Sequence, residues 1–98
     1  MFMVTVEDDN DNVKSYNVNK YNIDITDDLL MLELVTDKDT LRYDIYADDR
    51  HKDISLIEEF ISKKLKDASM GKNEIKISEY LVRKYINIGD NQFTAHKK

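Results

Sequence analysis

The chain has 98 residues, with 20 Asp/Glu against 15 Lys/Arg for a net charge of −5, which fits one domain (1–98) and leaves little room for a second. The 41% of hydrophobic residues supply a core, while the lack of cysteine and proline and the presence of only two glycines exclude a disulfide scaffold, a thiolate metal site and a loop-rich or disordered chain. Met1-Phe2-Met3-Val4 runs straight into Glu7, Asp8 and Asp9 without a basic leader, and the longest apolar run, Leu29 to Leu32, is far too short to span a bilayer, so a cytoplasmic protein is expected.

In chain order, Phe2, Val4 and Val6 alternate with Met3 and Thr5, the period of a half-buried strand. Asp8 to Asn12 reads as a turn, because Asn and Asp bond their own backbone and tolerate left-handed geometry. Val13 to Val18 is the expected return strand, with Tyr16 and Val18 on one face, and Tyr21, Ile23 and Ile25 alternate cleanly after it. Leu29 to Val35 is apolar on both faces except at Glu33, which predicts a central strand. Thr36 to Thr40 turns the chain, and Leu41, Tyr43, Ile45 and Ala47 pair back. The period then changes. Ile54, Ile57, Ile61 and Leu65 recur at helical spacing behind an Asp53 N-cap, with Gly71 just beyond the end.

A second helical stretch is predicted from Glu74 to Ile88, with Ile77, Leu81, Val82, Tyr85, Ile86 and Ile88 inward, Asn73 or Ser78 as cap and Gly89 as stop. Ile75 and Ile77 admit the alternative of a short strand, with the helix starting at Ser78. The tail from Asp90 is polar apart from Phe93 and is expected to fray. The expected fold class is therefore α+β, an N-terminal antiparallel β-meander of three to five strands packed by two C-terminal α-helices. Charge divides at the same boundary. Residues 1–49 hold 13 acids against 4 bases and residues 50–98 hold 7 against 11, giving an acidic sheet half and a basic helical half.

The motifs that carry chemistry are missing. A calcium loop begun at Asp8 or Asp9 has Val13 or Lys14 where glycine is required and Asn19 or Lys20 where glutamate is required. His51 among Asp48, Asp49 and Asp53 offers a single imidazole, and Glu74-Ile75-Lys76 lacks the upstream aspartate of a metal nuclease. No enzyme, metal or cofactor is expected. Lys72, Lys76, Arg83 and Lys84 on the second helix admit a small helix-turn-helix-like DNA-binding regulator, though an acidic domain disfavours direct DNA binding. A non-catalytic assembly protein, possible as a homodimer, is a further alternative. The leading expectation rests on the acidic half. Asp24, Glu33, Asp37, Asp39, Asp44, Asp48 and Asp49, interleaved with Tyr46, form the expected partner-binding surface. Carboxylates fixed on a rigid sheet would steer onto a basic nucleic-acid groove and block it.

The segment from Leu29 to Ala68 also resembles a known unit: an apolar strand, a polar turn, Tyr43-Asp44-Ile45, an acidic link, then Ile57-Glu58-Glu59-Phe60-Ile61-Ser62. This is similar to the hairpin–helix unit of phage anti-CRISPR inhibitors of type II Cas9, where the last run reads Val-Glu-Lys-Phe-Ile-Ser. The resemblance implies a phage-type inhibitor acting in the host cytosol on a protein or ribonucleoprotein with a basic groove, Cas9 first, by occlusion or DNA mimicry. It implies Asp37 or Asp39 as contact positions. The chain departs from that pattern by continuing into Lys72, Lys76, Arg83 and Lys84 rather than an acidic segment.

Overall fold

Alternating apolar residues make strands along nearly the whole chain. The computed structural model describes residues 2–71, 74–81 and 83–97. It contains β1 (Phe2–Asp8), β2 (Val13–Thr26), β3 (Leu29–Thr36), β4 (Thr40–Tyr46), α1 (Ile54–Ser69), β5 (Ile75–Glu79), β6 (Lys84–Ile88) and β7 (Asn91–Lys97). The seven strands close into a barrel in the order β1-β2-β3-β4-β7-β6-β5. Every neighbouring pair is antiparallel except β1 and β5, which run parallel with Val4 opposite Ile75 and Val6 opposite Ile77. Closure satisfies the backbone groups that an open sheet would leave at its edges.

This overturns the expected α+β meander under two helices. Residues 75–79 and 84–88 are strands, and the predicted helix across them does not form. The physical reason is β-branching at every second position: Ile75 and Ile77 on one strand face Ile88 and Ile86 on the next, and all four are buried. The helical spacing through Ile77, Leu81 and Tyr85 is incidental, since Leu81 is 87% exposed in the link between β5 and β6. Gly89 ends no helix; it has φ +58° in the two-residue turn that joins β6 to β7. The tail does not fray either. It is β7, with Phe93 and Ala95 buried, pairing with both β6 and β4. The proposed cap Asn73 and the proposed contact Lys72 lie outside the described residues, as does Val82.

The first half follows its alternation more closely, with one merger. Val13 to Val18 and Tyr21 to Ile25 belong to a single strand, β2, whose register against β3 shifts between Val18 and Lys20. That irregularity keeps Val18 inward before it and Tyr21, Ile23 and Ile25 inward after it, opposite Leu34, Leu32 and Leu30. The barrel interior is filled by side chains, among them Val4, Leu30, Leu32, Leu34, Ile45 and Ile77, each at most 2% exposed.

The two barrel ends differ. At the end where β1, β3, β5 and β7 begin, α1 packs Ile57, Ile61, Leu65 and Ala68 into the same core, with Phe60 against Phe93 at 5.6 Å between ring centroids. Asp53 caps the helix by accepting from the Ser55 amide at 2.9 Å, and Gly71 follows its C-cap with φ +77°. The opposite end is polar. There the Glu79 carboxylate accepts from the hydroxyl of buried Tyr43 and pairs with Lys97 at 3.1 Å. Burial, and then that hydrogen bond, hold the Tyr43 phenol well above its ordinary pKa.

The basic half is not helical as expected, apart from α1. Its β5, β6 and β7 form one contiguous side of the barrel, and β1 to β4 from the acidic half form the other.

Candidate functional site

Register places the side chains of the outer wall in rows. Met31 lies between Asp24 on β2 and Asp44 on β4, and Asp44 is opposite His96 on β7. The next row toward the polar end is Asn22, Glu33 and Arg42; the next row toward the helix is Thr26, Leu29 and Tyr46. These rows frame a depression of about 250 Å³ lined by Asn22, Asp24, Met31, Glu33, Arg42 and Asp44, among others. Outward-facing Leu29 and Met31 give the face an apolar middle, half-buried against their neighbours.

The eight residues expected at the binding surface divide into three places. Asp24, Glu33, Asp44 and Tyr46 share this outer face. Asp24 is exposed, whereas Asp44 is only 8% exposed. Glu33 accepts from Asn22 Nδ2 and from Arg42 Nε, both at 2.9 Å, and these bonds hold its carboxyl below the usual carboxylate range. Tyr46 stands edge-on to the His96 ring at 4.9 Å between centroids. The three acids thus lie on one side of one sheet, but they do not present a row of three free charges.

Asp48 and Asp49 lie in the link between β4 and α1. Asp48 organises that link: its carboxylate accepts from the His51 amide at 2.8 Å, the Arg50 amide at 2.9 Å and the Thr94 hydroxyl at 3.0 Å. Burial works to raise its pKa, but the bonds from His51, Thr94 and Arg50 outweigh it and the net shift is downward. Asp49 is exposed beside it. Asp37 and Asp39, the positions implied by the family resemblance, occupy the β3–β4 turn at the far, polar end of the barrel. There the Thr36 hydroxyl donates to the Asp39 carbonyl at 2.6 Å and accepts from the Asp39 amide at 2.9 Å.

The discarded motifs have structural occupations. Asp8 accepts from the Asn10 and Asn12 amides at 2.9 and 3.1 Å, which makes the acidic run a hairpin turn. His51 packs on Phe93 at 4.4 Å between ring centroids, and Lys76 pairs with Glu7 at 2.9 Å. Among the described residues α1 is the one helix, and Lys76, Arg83 and Lys84 do not share a second one as the helix-turn-helix reading requires. Lys76 lies on β5, Lys84 opens β6 and bonds the Tyr80 carbonyl at 3.4 Å, and Arg83 precedes it.

Strand alternation alone sets Asn22 beside Asp24, and Arg42 beside Asp44 and Tyr46, on the outward faces, but sequence reasoning did not count them, or Leu29, Met31 and His96, among the binding residues. Glu33 and Arg42 were recoverable, because they stand equally far from the centre of the turn and so meet across the hairpin. His96 was not, since its neighbour Asp44 is 52 positions away and nothing local marks the pairing.

The carboxylates also set an acid limit. Glu7, Asp8, Glu33 and Asp48 all have lowered pKa values in the folded chain. The unfolded chain therefore binds more protons below the ordinary values of 4.5 for Glu and 3.8 for Asp. Their stabilisation is complete above that range and is lost as pH falls through the folded values. Urea midpoints measured by circular dichroism should be level from pH 7 to about 5 and fall progressively toward pH 3. The mutant Glu33→Gln should flatten part of that fall.

Among the described residues, no group of three or more His, Asp or Glu is placed to hold a metal ion, and no helix is long and apolar enough to cross a membrane. The fold and face together define a small, closed, side-chain-filled β-barrel stoppered by one helix, with its distinctive surface on the outside of the wall. Comparisons with protein-family models, with curated proteins and with solved structures find no match to this chain.

Proposed function

We propose that this chain is a non-catalytic binding protein of the cytosol that lays the outer face of β2, β3 and β4 on a basic nucleic-acid groove of a host complex and inhibits it by occlusion. The observation that carries this reading is one rigid face with an apolar middle, Leu29, Met31 and Tyr46, beside the exposed carboxylate of Asp24. An interface of this kind takes its energy from a buried aromatic anchor and its orientation from charge at the rim. Both flanks of β3 are hydrogen-bonded, so little backbone ordering is needed on binding. Occlusion is favoured over DNA mimicry because Glu33 is already paired with Arg42 and Asp44 is buried, which leaves no phosphate-like row of charges. A Cas9–guide RNA complex is the first partner to test, on the resemblance of the hairpin and helix from Leu29 to Ala68.

The test is DNA cleavage by purified Cas9–guide RNA complex in the presence of the chain. Wild type should inhibit, and inhibition should weaken as ionic strength rises. Asp24→Lys combined with Tyr46→Ala should weaken it by about a hundredfold, the scale of one anchor and one rim charge. Asp37→Asn with Asp39→Asn, at the far end, should leave it unchanged. Inhibition indifferent to the outer-face variant would remove that face from the contact. Failure of the wild type to bind the complex would remove the groove as its target.

A further inference from the structure

A second depression, of about 280 Å³, lies on the barrel wall between β6 and β7 and is lined by Arg83, Lys84, Tyr85, Thr94, Ala95 and His96. In a chain of net charge −5, no carboxylate lines it. Its polar groups are predominantly donors. The Arg83 guanidinium is exposed and reaches the Tyr85 hydroxyl at 3.5 Å, so guanidinium and phenol converge at one edge. His96 is exposed at the other side, its ring steadied by the edge of Tyr46. Lys84 is held by the Tyr80 carbonyl at 3.4 Å, adding positive charge from beneath the wall. The Thr94 hydroxyl donates to Asp48 at 3.0 Å, which places one carboxylate next to the lining.

We infer that this depression is an anion site for a small phosphorylated molecule, with Arg83, Tyr85 and His96 as the phosphate-binding residues. A guanidinium pairs with two phosphate oxygens through its planar fork, and the phenol and imidazole supply further donors to the remaining oxygens. The volume is at the lower edge of the range for small-molecule pockets, about 300 Å³, enough for a phosphate and a ring. A nucleic-acid strand is disfavoured, because it would have to pass Asp44, the cross-strand neighbour of His96, and Asp24 farther along the same row. The two sites meet where Tyr46 packs on His96, but Arg83 and Tyr85 lie outside the docking face, so their variants test this site separately from the inhibition.

The experiment is titration of the ¹⁵N-labelled full chain with inorganic phosphate, adenosine 5′-monophosphate, adenosine and a single-stranded oligonucleotide. Phosphate and the monophosphate should shift the amides of Arg83, Tyr85, Thr94 and His96 and saturate below about 10 mM. Adenosine should not. Arg83→Gln should raise the dissociation constant at least about tenfold. Tyr85→Phe, which keeps the ring, should raise it less. Both spectra should otherwise overlay that of the wild type. Shifts spread evenly over the surface, no saturation, or indifference to Arg83→Gln would overturn the proposal. An oligonucleotide that saturates the site more tightly than the monophosphate would overturn it too, by reassigning the donors to nucleic acid.

Discussion

Ending the chain after Gly89 should unfold the protein, and Phe93→Ala should come close to doing so. Phe93 is 2% exposed and is packed between His51 and Phe60, at 4.4 and 5.6 Å between ring centroids. It joins the link before α1, the helix and the wall in one contact. Truncating a buried phenylalanine costs about 3–5 kcal/mol. Domains of this size are stable by about 5–15 kcal/mol in total. The melting temperature should therefore fall by more than about 10 °C, read by thermal circular dichroism. Removing all of β7 does more, because β4 and β6 each lose one of their two partners and the barrel opens. A truncated chain that melts like the wild type would mean that the tail is a frayed appendage.

Ile61→Ala should have the next largest effect, about 2–5 kcal/mol, measured as a shift in the urea midpoint at unchanged slope. Ile61 is fully buried on the inner face of α1, in the same cluster as the barrel residues. The core around it is built of strand side chains whose backbone is fixed by the ladder, so the space left by the side chain has little freedom to collapse. Leu56 on the same helix is 62% exposed, and Leu56→Ala should change stability by no more than about 0.5 kcal/mol. Equal effects at the two positions would show that α1 lies on the barrel without entering its core.

Much of the wall can be read from the residues. Phe2, Val4 and Val6, and Leu41, Tyr43 and Ile45, alternate because each strand has one face in the core, and those are the inward residues of β1 and β4. The helix is legible from Ile57, Ile61 and Leu65 and from the cap at Asp53. The stretch 74–88 is ambiguous for a definite reason. Ile77, Tyr85 and Ile88 satisfy a helical period, while Ile75, Ile77, Ile86 and Ile88 satisfy a strand period, and one short apolar pattern can satisfy both. What decides is the long-range parallel pairing with β1, and no local feature announces a partner about 70 residues away. β7 is hidden by composition. Its outward residues Gln92, Thr94 and His96 are polar, and only Phe93 and Ala95 mark the inner face.

The candidate face was half legible for a similar reason. Counting carboxylates found Asp24, Glu33 and Asp44, with Tyr46 interleaved, but it does not show which charges are already paired. Arg42 cancels Glu33 across the hairpin, and the strand that brings His96 to Asp44 is the one expected to fray. The expected surface thus became a mixed apolar and acidic face, and the neighbouring donor-lined depression came into view only with β6 and β7 in place.

Both faces depend on how the barrel closes, through β1 with β5 and β4 with β7. The most direct measurement is a set of backbone nuclear Overhauser effects on the isotopically labelled chain. Closure requires cross-strand contacts in the parallel register Thr5 to Lys76 and Val6 to Ile77, and in the antiparallel register Asp44 to His96. Sequential helical contacts from each residue to the third one on, running through Ile75 to Ile88, would contradict the barrel and both sites built on it.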